Sequence, residues 1–126
     1  MVHLFIGLLV NSVLQLINQN TYFCTTMIVY NDTIIVEEAI HEEWLKWIKE
    51  VHIPAIMATG LFSSYRILTV VDSPNEGVTY CIQYNADSIE QFQQFYMNHL
   101  HSFQSMHQER YAERFVMFNT LMKEVD

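Results

Sequence analysis

From Met27 onward the spacing of apolar residues switches between a period of two and a period of three to four, and this succession leaves few folds open. Met27–Val36 (MIVYNDTIIV) is rich in Ile and Val and reads as a strand. Ile40, Trp44, Trp47, Ile48, Val51 and Ala55 then recur at steps of three and four, which is one apolar face of a helix running to about Ala58. The opposite face carries His41, Glu42, Glu43, Lys46, Lys49 and Glu50. Pro54 falls inside this helix and predicts a kink or a fresh last turn, because it has no N–H to give. Gly60 predicts the helix stop. Leu61–Val71 reads as a second strand, and Asp72-Ser73-Pro74-Asn75-Glu76-Gly77 is dense turn chemistry. Val78–Asn85 alternates cleanly, with Val78, Tyr80, Ile82 and Tyr84 on one face. Ser88-Ile89-Glu90-Gln91 has the form of a capping box, with Asp87 just ahead as an alternative cap, and Ile89, Phe92, Tyr96, Leu100 and Phe103 mark a second amphipathic helix. His107–Ala112 reads as a connection, with a short turn of helix as the alternative, and Phe115–Met122 as a last strand that is apolar on both faces.

The order β-α-β-β-α-β, with short connections and right-handed crossovers, predicts an α+β domain of the ferredoxin-like kind over residues 27–126. Two helices then lie on one face of a four-stranded antiparallel sheet. The other face needs a cover, because Phe115 and Met117 point one way from the last strand and Val116 and Phe118 the other. A second copy of the chain is the simplest cover, so a homodimer through the helix-free sheet face is expected.

The chain begins differently. Residues 1–31 contain no Asp, Glu, Lys or Arg, and the first charge is Asp32. A signal peptide lacks its basic region here, and a membrane span is interrupted by Asn11, Ser12, Gln15, Asn18, Gln19 and Asn20. A mis-assigned start, with Met27 as the initiator, is the favoured reading of residues 1–26; a short apolar leader is the alternative. The net charge of −8, with only six Lys and Arg, gives no basic stripe for nucleic acid and no attraction to anionic membrane surfaces. The two cysteines, Cys24 and Cys81, make no disulfide framework, which points to a reducing, cytoplasmic setting.

Three stretches carry a family resemblance. They are His41-Glu42-Glu43-Trp44-Leu45-Lys46-Trp47 with Val51-His52-Ile53-Pro54 and Ala58-Thr59-Gly60; Val78-Thr79-Tyr80-Cys81-Ile82-Gln83-Tyr84; and His107 with Arg110-Tyr111 and Arg114-Phe115-Val116. Together they resemble the small bacterial domain-of-unknown-function family 4286 (DUF4286), over nearly all of residues 27–126. The family's pattern carries a basic residue where this chain has Asn119. At the level of fold the family is similar to dimeric α+β barrel proteins, which include cofactor-free monooxygenases, haem-degrading enzymes and lactone isomerases. The resemblance implies a fold and, by analogy only, a cofactor-independent enzyme of monooxygenase or isomerase type.

The candidate site residues follow from position and chemistry. His52 stands just before Pro54, where the helix is disturbed, and is the first candidate for acid/base work. His107 is the second. Trp44, Trp47, Tyr80 and Tyr111 are candidates to line a pocket for a small apolar ligand, with core packing as the competing role for the aromatics. His99, His101 and His107 are not spaced to share a helix face, so no metal site is expected. With three glycines in the chain there is no phosphate-binding loop, and no cofactor is expected. The function expected from the residues is binding of a small apolar molecule or a protein partner without catalysis. The alternative is an enzyme using His52.

Overall fold

The computed structural model describes residues 26–126. The apolar leader and Cys24 lie outside the described residues. Within them, β1 (Ile28–Val36), β2 (Ser64–Thr69), β3 (Val78–Ala86) and β4 (Phe115–Lys123) form one sheet in the order β2-β3-β1-β4. All three pairings are antiparallel. The architecture is the α+β, ferredoxin-like one that the succession of periods implies.

Alternation assigns the two faces of the sheet. Ile28, Tyr30, Ile34 and Val36 of β1 are buried toward the helices, as are Tyr80, Ile82 and Tyr84 of β3. Register then aligns Phe115, Met117, Asn119 and Leu121 of β4 with that same face. Gly77, ahead of β3, adopts φ +90°, and an added Cβ would sit 2.5 Å from the Val36 carbonyl oxygen. Only glycine permits that approach.

The first helical segment is more broken than its apolar spacing predicts. A 3-10 turn (Glu38–Ile40) leads into α1 (His41–Trp47), a π-helical turn (Ile48–His52) and α2 (Ile53–Met57). The expected irregularity therefore falls on the N-terminal side of Pro54. Pro54 cannot donate to the carbonyl four residues back, and its ring crowds that carbonyl. Widening the preceding turn relieves both problems, and Ile53 N–H reaches back five residues to the Ile48 carbonyl.

The second helical segment is also two helices, α3 (Ile89–Asn98) and α4 (Leu100–Tyr111), broken at His99 (φ −129°, ψ −35°). The start of α3 is capped as its sequence predicts: the Ser88 side chain accepts from Gln91 N–H at 3.3 Å. His107–Tyr111 is the end of a long helix rather than a connection with at most a short helical turn, which corrects the sequence reading. The helix continues to Tyr111, because no Gly or Pro interrupts it, and it ends where Glu113 takes φ +65°. Strand β2 is shorter than the expected Leu61–Val71, since only Ser64–Thr69 pair regularly with β3.

Candidate functional site

Between the sheet and the helices lies a cavity of about 20 Å³. Its walls are mostly apolar, with Ile34 and Ile82 from the sheet, Ile56 from α2, Phe95 from α3, and Leu100 and Phe103 from α4. Five polar residues also face it: Tyr30, Asp32, His52, Gln104 and His107. The volume is enough for about one water molecule, for which roughly 10–15 Å³ suffices. Phe103, Gln104 and Met117 are half-buried and form its rim.

Asp32 is the unexpected member. It sits in the middle of β1 on the helix-facing side and is 7% exposed. Asn119, directly opposite in β4, donates its Nδ2–H to Asp32 Oδ1. Gln104 Nε2 in turn donates to Asn119 Oδ1 at 3.2 Å, so an amide chain runs from α4 to the carboxylate. No Lys or Arg lines the cavity. Burial without a countercharge pushes the Asp32 carboxyl up to about 6, although the Tyr30 hydroxyl near it and the bond from Asn119 partly offset this.

Tyr30 lies two residues before Asp32 on the same face. Its hydroxyl makes no hydrogen bond of good geometry, yet it is near enough for the Asp32 charge to act on it. Burial first, and that charge second, hold its pKa well above the usual phenol value, so it remains a proton donor. Tyr84 on β3 likewise has a buried, unpartnered hydroxyl.

The two histidines form the opposite wall. His52 closes the π-helical turn with its ring stacked on Trp47, centroids 4.9 Å apart. Its Nδ1 is buried without a partner. Burial pulls this imidazole down to about 4. His107 stacks almost parallel on Trp47 at 5.8 Å. Its Nε2 accepts from Trp44 Nε1–H at 2.8 Å. An indole nitrogen only donates, so this bond fixes His107 as the neutral tautomer protonated at Nδ1. Burial, with the neighbouring His52 second, brings His107 down to about 3.

Of the residues singled out in the sequence, His52 and His107 reach the cavity wall. Trp44, Trp47 and Tyr111 pack behind them in one aromatic cluster and do not line it. Tyr80 packs on Trp44, and its hydroxyl bonds to His41 Nδ1 at 2.8 Å. Asp32, Tyr30, Gln104 and Asn119 are additions that the structure supplies. The signal for Asp32 is in the alternation of β1, where it occupies the same parity as Ile28, Tyr30, Ile34 and Val36. Among the described residues, no group of three or more His, Cys, Asp or Glu is gathered to hold a metal ion. Nor is any described helix long and apolar enough to cross a membrane.

Comparisons with known proteins bear on the fold. An ethyl tert-butyl ether D (EthD) family protein from Bacillus halodurans is 14% identical, with a TM-score of 0.54 over 79% of this chain and 98% of that one. A dimeric ferredoxin-like protein from an uncultured marine organism is 7% identical, with a TM-score of 0.53 over 80% of this chain and 96% of that one. An EthD-like protein from Ralstonia eutropha is 13% identical, with a TM-score of 0.50 over 79% and 91%. At such identities the likeness is one of fold. Comparison with curated proteins gives no match. The family described as a domain of unknown function, DUF4286, matches residues 27–125.

Proposed function

The chain belongs to the DUF4286 family, which supplies no activity to inherit, and from the geometry of its interior we propose that the domain binds a small, mostly apolar molecule between sheet and helices. The molecule's one hydrogen-bonding group turns toward Tyr30 and Asp32. The observation that carries this reading is a pair of buried polar atoms, Tyr30 Oη and His52 Nδ1, that lack protein partners and belong to residues lining the same cavity. Buried polar groups are nearly always satisfied, and leaving one unpaired costs about 1–3 kcal/mol. A ligand bearing a donor or acceptor relieves that cost. The cavity holds little more than water, so admitting a ligand requires Phe103 and Met117 to swing outward at the rim.

The test is saturation-transfer NMR with 2-tetralone and 4-ethylphenol as probes. Signal transfer from the protein to both is expected. Tyr30→Phe is expected to weaken binding about five- to tenfold, the worth of one neutral hydrogen bond. Absence of transfer to either probe refutes the reading.

A second copy seated on the helix-free sheet face is the partner we infer. On that face Leu68, Val116 and Met122 are each about two-fifths to one-half exposed, and Asn31 Oδ1 is buried without a partner. The neighbour described as dimeric adds support from the fold. Light scattering at micromolar concentration is expected to give twice the chain mass, and Val116→Glu to return it to that of one chain. A monomeric mass for the unaltered protein counts against the dimer.

A further inference from the structure

We infer that the cavity is a proton-transfer site for small apolar ketones, with Asp32 as the general base and the Tyr30 hydroxyl as the donor to the developing enolate oxygen. This rests on the reading of the same cavity as a ligand site. It goes further by naming the reaction and reassigning the acid/base role from His52 to Asp32.

Asp32 is a carboxylate in a largely apolar cavity with no cation in its lining. Asn119 occupies Oδ1, and Gln104 fixes Asn119. The carboxylate is thereby held in one orientation, with Oδ2 left as the basic oxygen. Tyr30 stands beside it on the same strand face, 2% exposed, with its hydroxyl unpartnered. A base and a neutral donor side by side are what proton abstraction next to a carbonyl requires.

The step balances without any co-reactant. Asp32 Oδ2 takes the proton from the carbon next to the carbonyl. The C–H electron pair becomes the C=C of the enolate, and the carbonyl π electrons move to oxygen, which accepts from Tyr30 O–H. The carboxylic acid then returns the proton, either to the same carbon or to the far carbon of a conjugated system. The first outcome is hydrogen exchange and the second is a double-bond shift. Nothing is oxidised or reduced.

Proton affinity separates the two candidate bases. A base works best when its conjugate acid titrates near the working pH. Asp32, at about 6, meets that condition, whereas His52, at about 4, is the weaker base. His107 Nε2 is already committed to the Trp44 indole. The groups around Asp32 are Tyr30 on its own strand, Asn119 on β4, His52 in the π-helical turn, Gln104 and His107 on α4, and Tyr84 on β3, which lies outside the lining but near enough to feel its charge. The two phenols and two imidazoles are neutral at pH 7, so Asp32 is the charge that titrates in the cavity between pH 5 and 8.

The experiment follows deuterium uptake at the benzylic carbon beside the carbonyl of 2-tetralone. It uses proton NMR in D2O with the full chain, and measures saturation transfer on the same samples. Exchange above the buffer rate is expected, rising with pH through a single midpoint near 6. Asp32→Asn, nearly the same shape, is expected to lose about 10²- to 10⁴-fold of that rate, and Tyr30→Phe about 10²-fold. Binding without exchange overturns the inference and leaves the ligand site standing. A rate unchanged in Asp32→Asn, or a midpoint near 4 that follows His52, also overturns it. Absence of binding removes both readings. The pH profile of the unaltered protein decides the matter without any variant.

Discussion

Acidifying the protein from pH 7 to pH 4 is expected to remove roughly 3–4 kcal/mol of its stability, through His52 and His107. Both imidazoles are nearly sealed from solvent, and burial lowers them to about 4 and about 3. In the unfolded chain each takes a proton near pH 6.5. The folded state therefore binds fewer protons than the unfolded one below that pH. A depressed folded pKa gives stability that is present above the unfolded value and lost as pH falls through the folded one. By pH 4 each histidine accounts for about 3 kcal/mol. Asp32 works in the opposite direction, since its raised carboxyl becomes easier to bury as it takes a proton, and it returns about 2–3 kcal/mol over the same interval. The histidines win, and the net loss is a large share of the 5–15 kcal/mol typical of a domain. Urea unfolding at pH 7, 5.5 and 4 measures it. A stability that is flat across that range would mean that the histidine wall admits water.

Replacing Asp32 by Asn is expected to raise stability at pH 7 by about 2–3 kcal/mol. The folded carboxyl titrates at about 6, against 3.8 in the unfolded chain. A raised folded pKa means that stability is fully present below the unfolded value and lost as pH climbs through the folded one. At neutral pH the native protein is holding an ionised carboxylate in an apolar wall. The amide of the variant keeps the bond from Asn119 by presenting its oxygen, and it carries no charge to desolvate. The melting temperature is expected to rise by roughly 10 °C or more. The gain should shrink below pH 6 and vanish near pH 4, where the native carboxyl is itself protonated. A variant that melts lower at neutral pH would show that the charge is compensated by a partner. Stability gained at the cost of the proposed chemistry is the usual signature of a working site.

The strands were legible wherever polar and apolar residues alternate without exception. Val78, Tyr80, Ile82 and Tyr84 mark their own face, and the observed β3 needs no help from its neighbours. The end of α4 was not legible, because Gln108, Glu109 and Arg110 interrupt the apolar stripe on an exposed stretch while the backbone stays helical. Pro54 announced a disturbance in the first helix, but backbone geometry moved it upstream into Ile48–His52. Those residues look like ordinary helix formers in isolation. His52 was found by its proximity to that disturbance. Asp32 is hidden in the sequence because a first charge after a long uncharged stretch reads as the edge of a composition shift. Counting parity along β1 turns it inward. The polar side of the cavity depends on Gln104 of α4 holding Asn119 of β4 against Asp32 of β1, and no local pattern records that meeting.

Asp32 and Asn119 are 87 positions apart, and this bears on how the protein is made. The strand that supplies Asn119 is the last to leave the ribosome. Until it docks, β1 is the edge of a three-stranded sheet, with its backbone N–H and C=O groups open to any passing strand. In a sequence as apolar as IVYNDTIIV, such an edge invites association between nascent chains. A carboxylate pointing inward from the middle of it is one of the devices that keeps unfinished edges apart. The group that burdens the finished domain thus guards the incomplete one, and it stops serving as a guard at the moment β4 pairs and Asn119 takes hold of it.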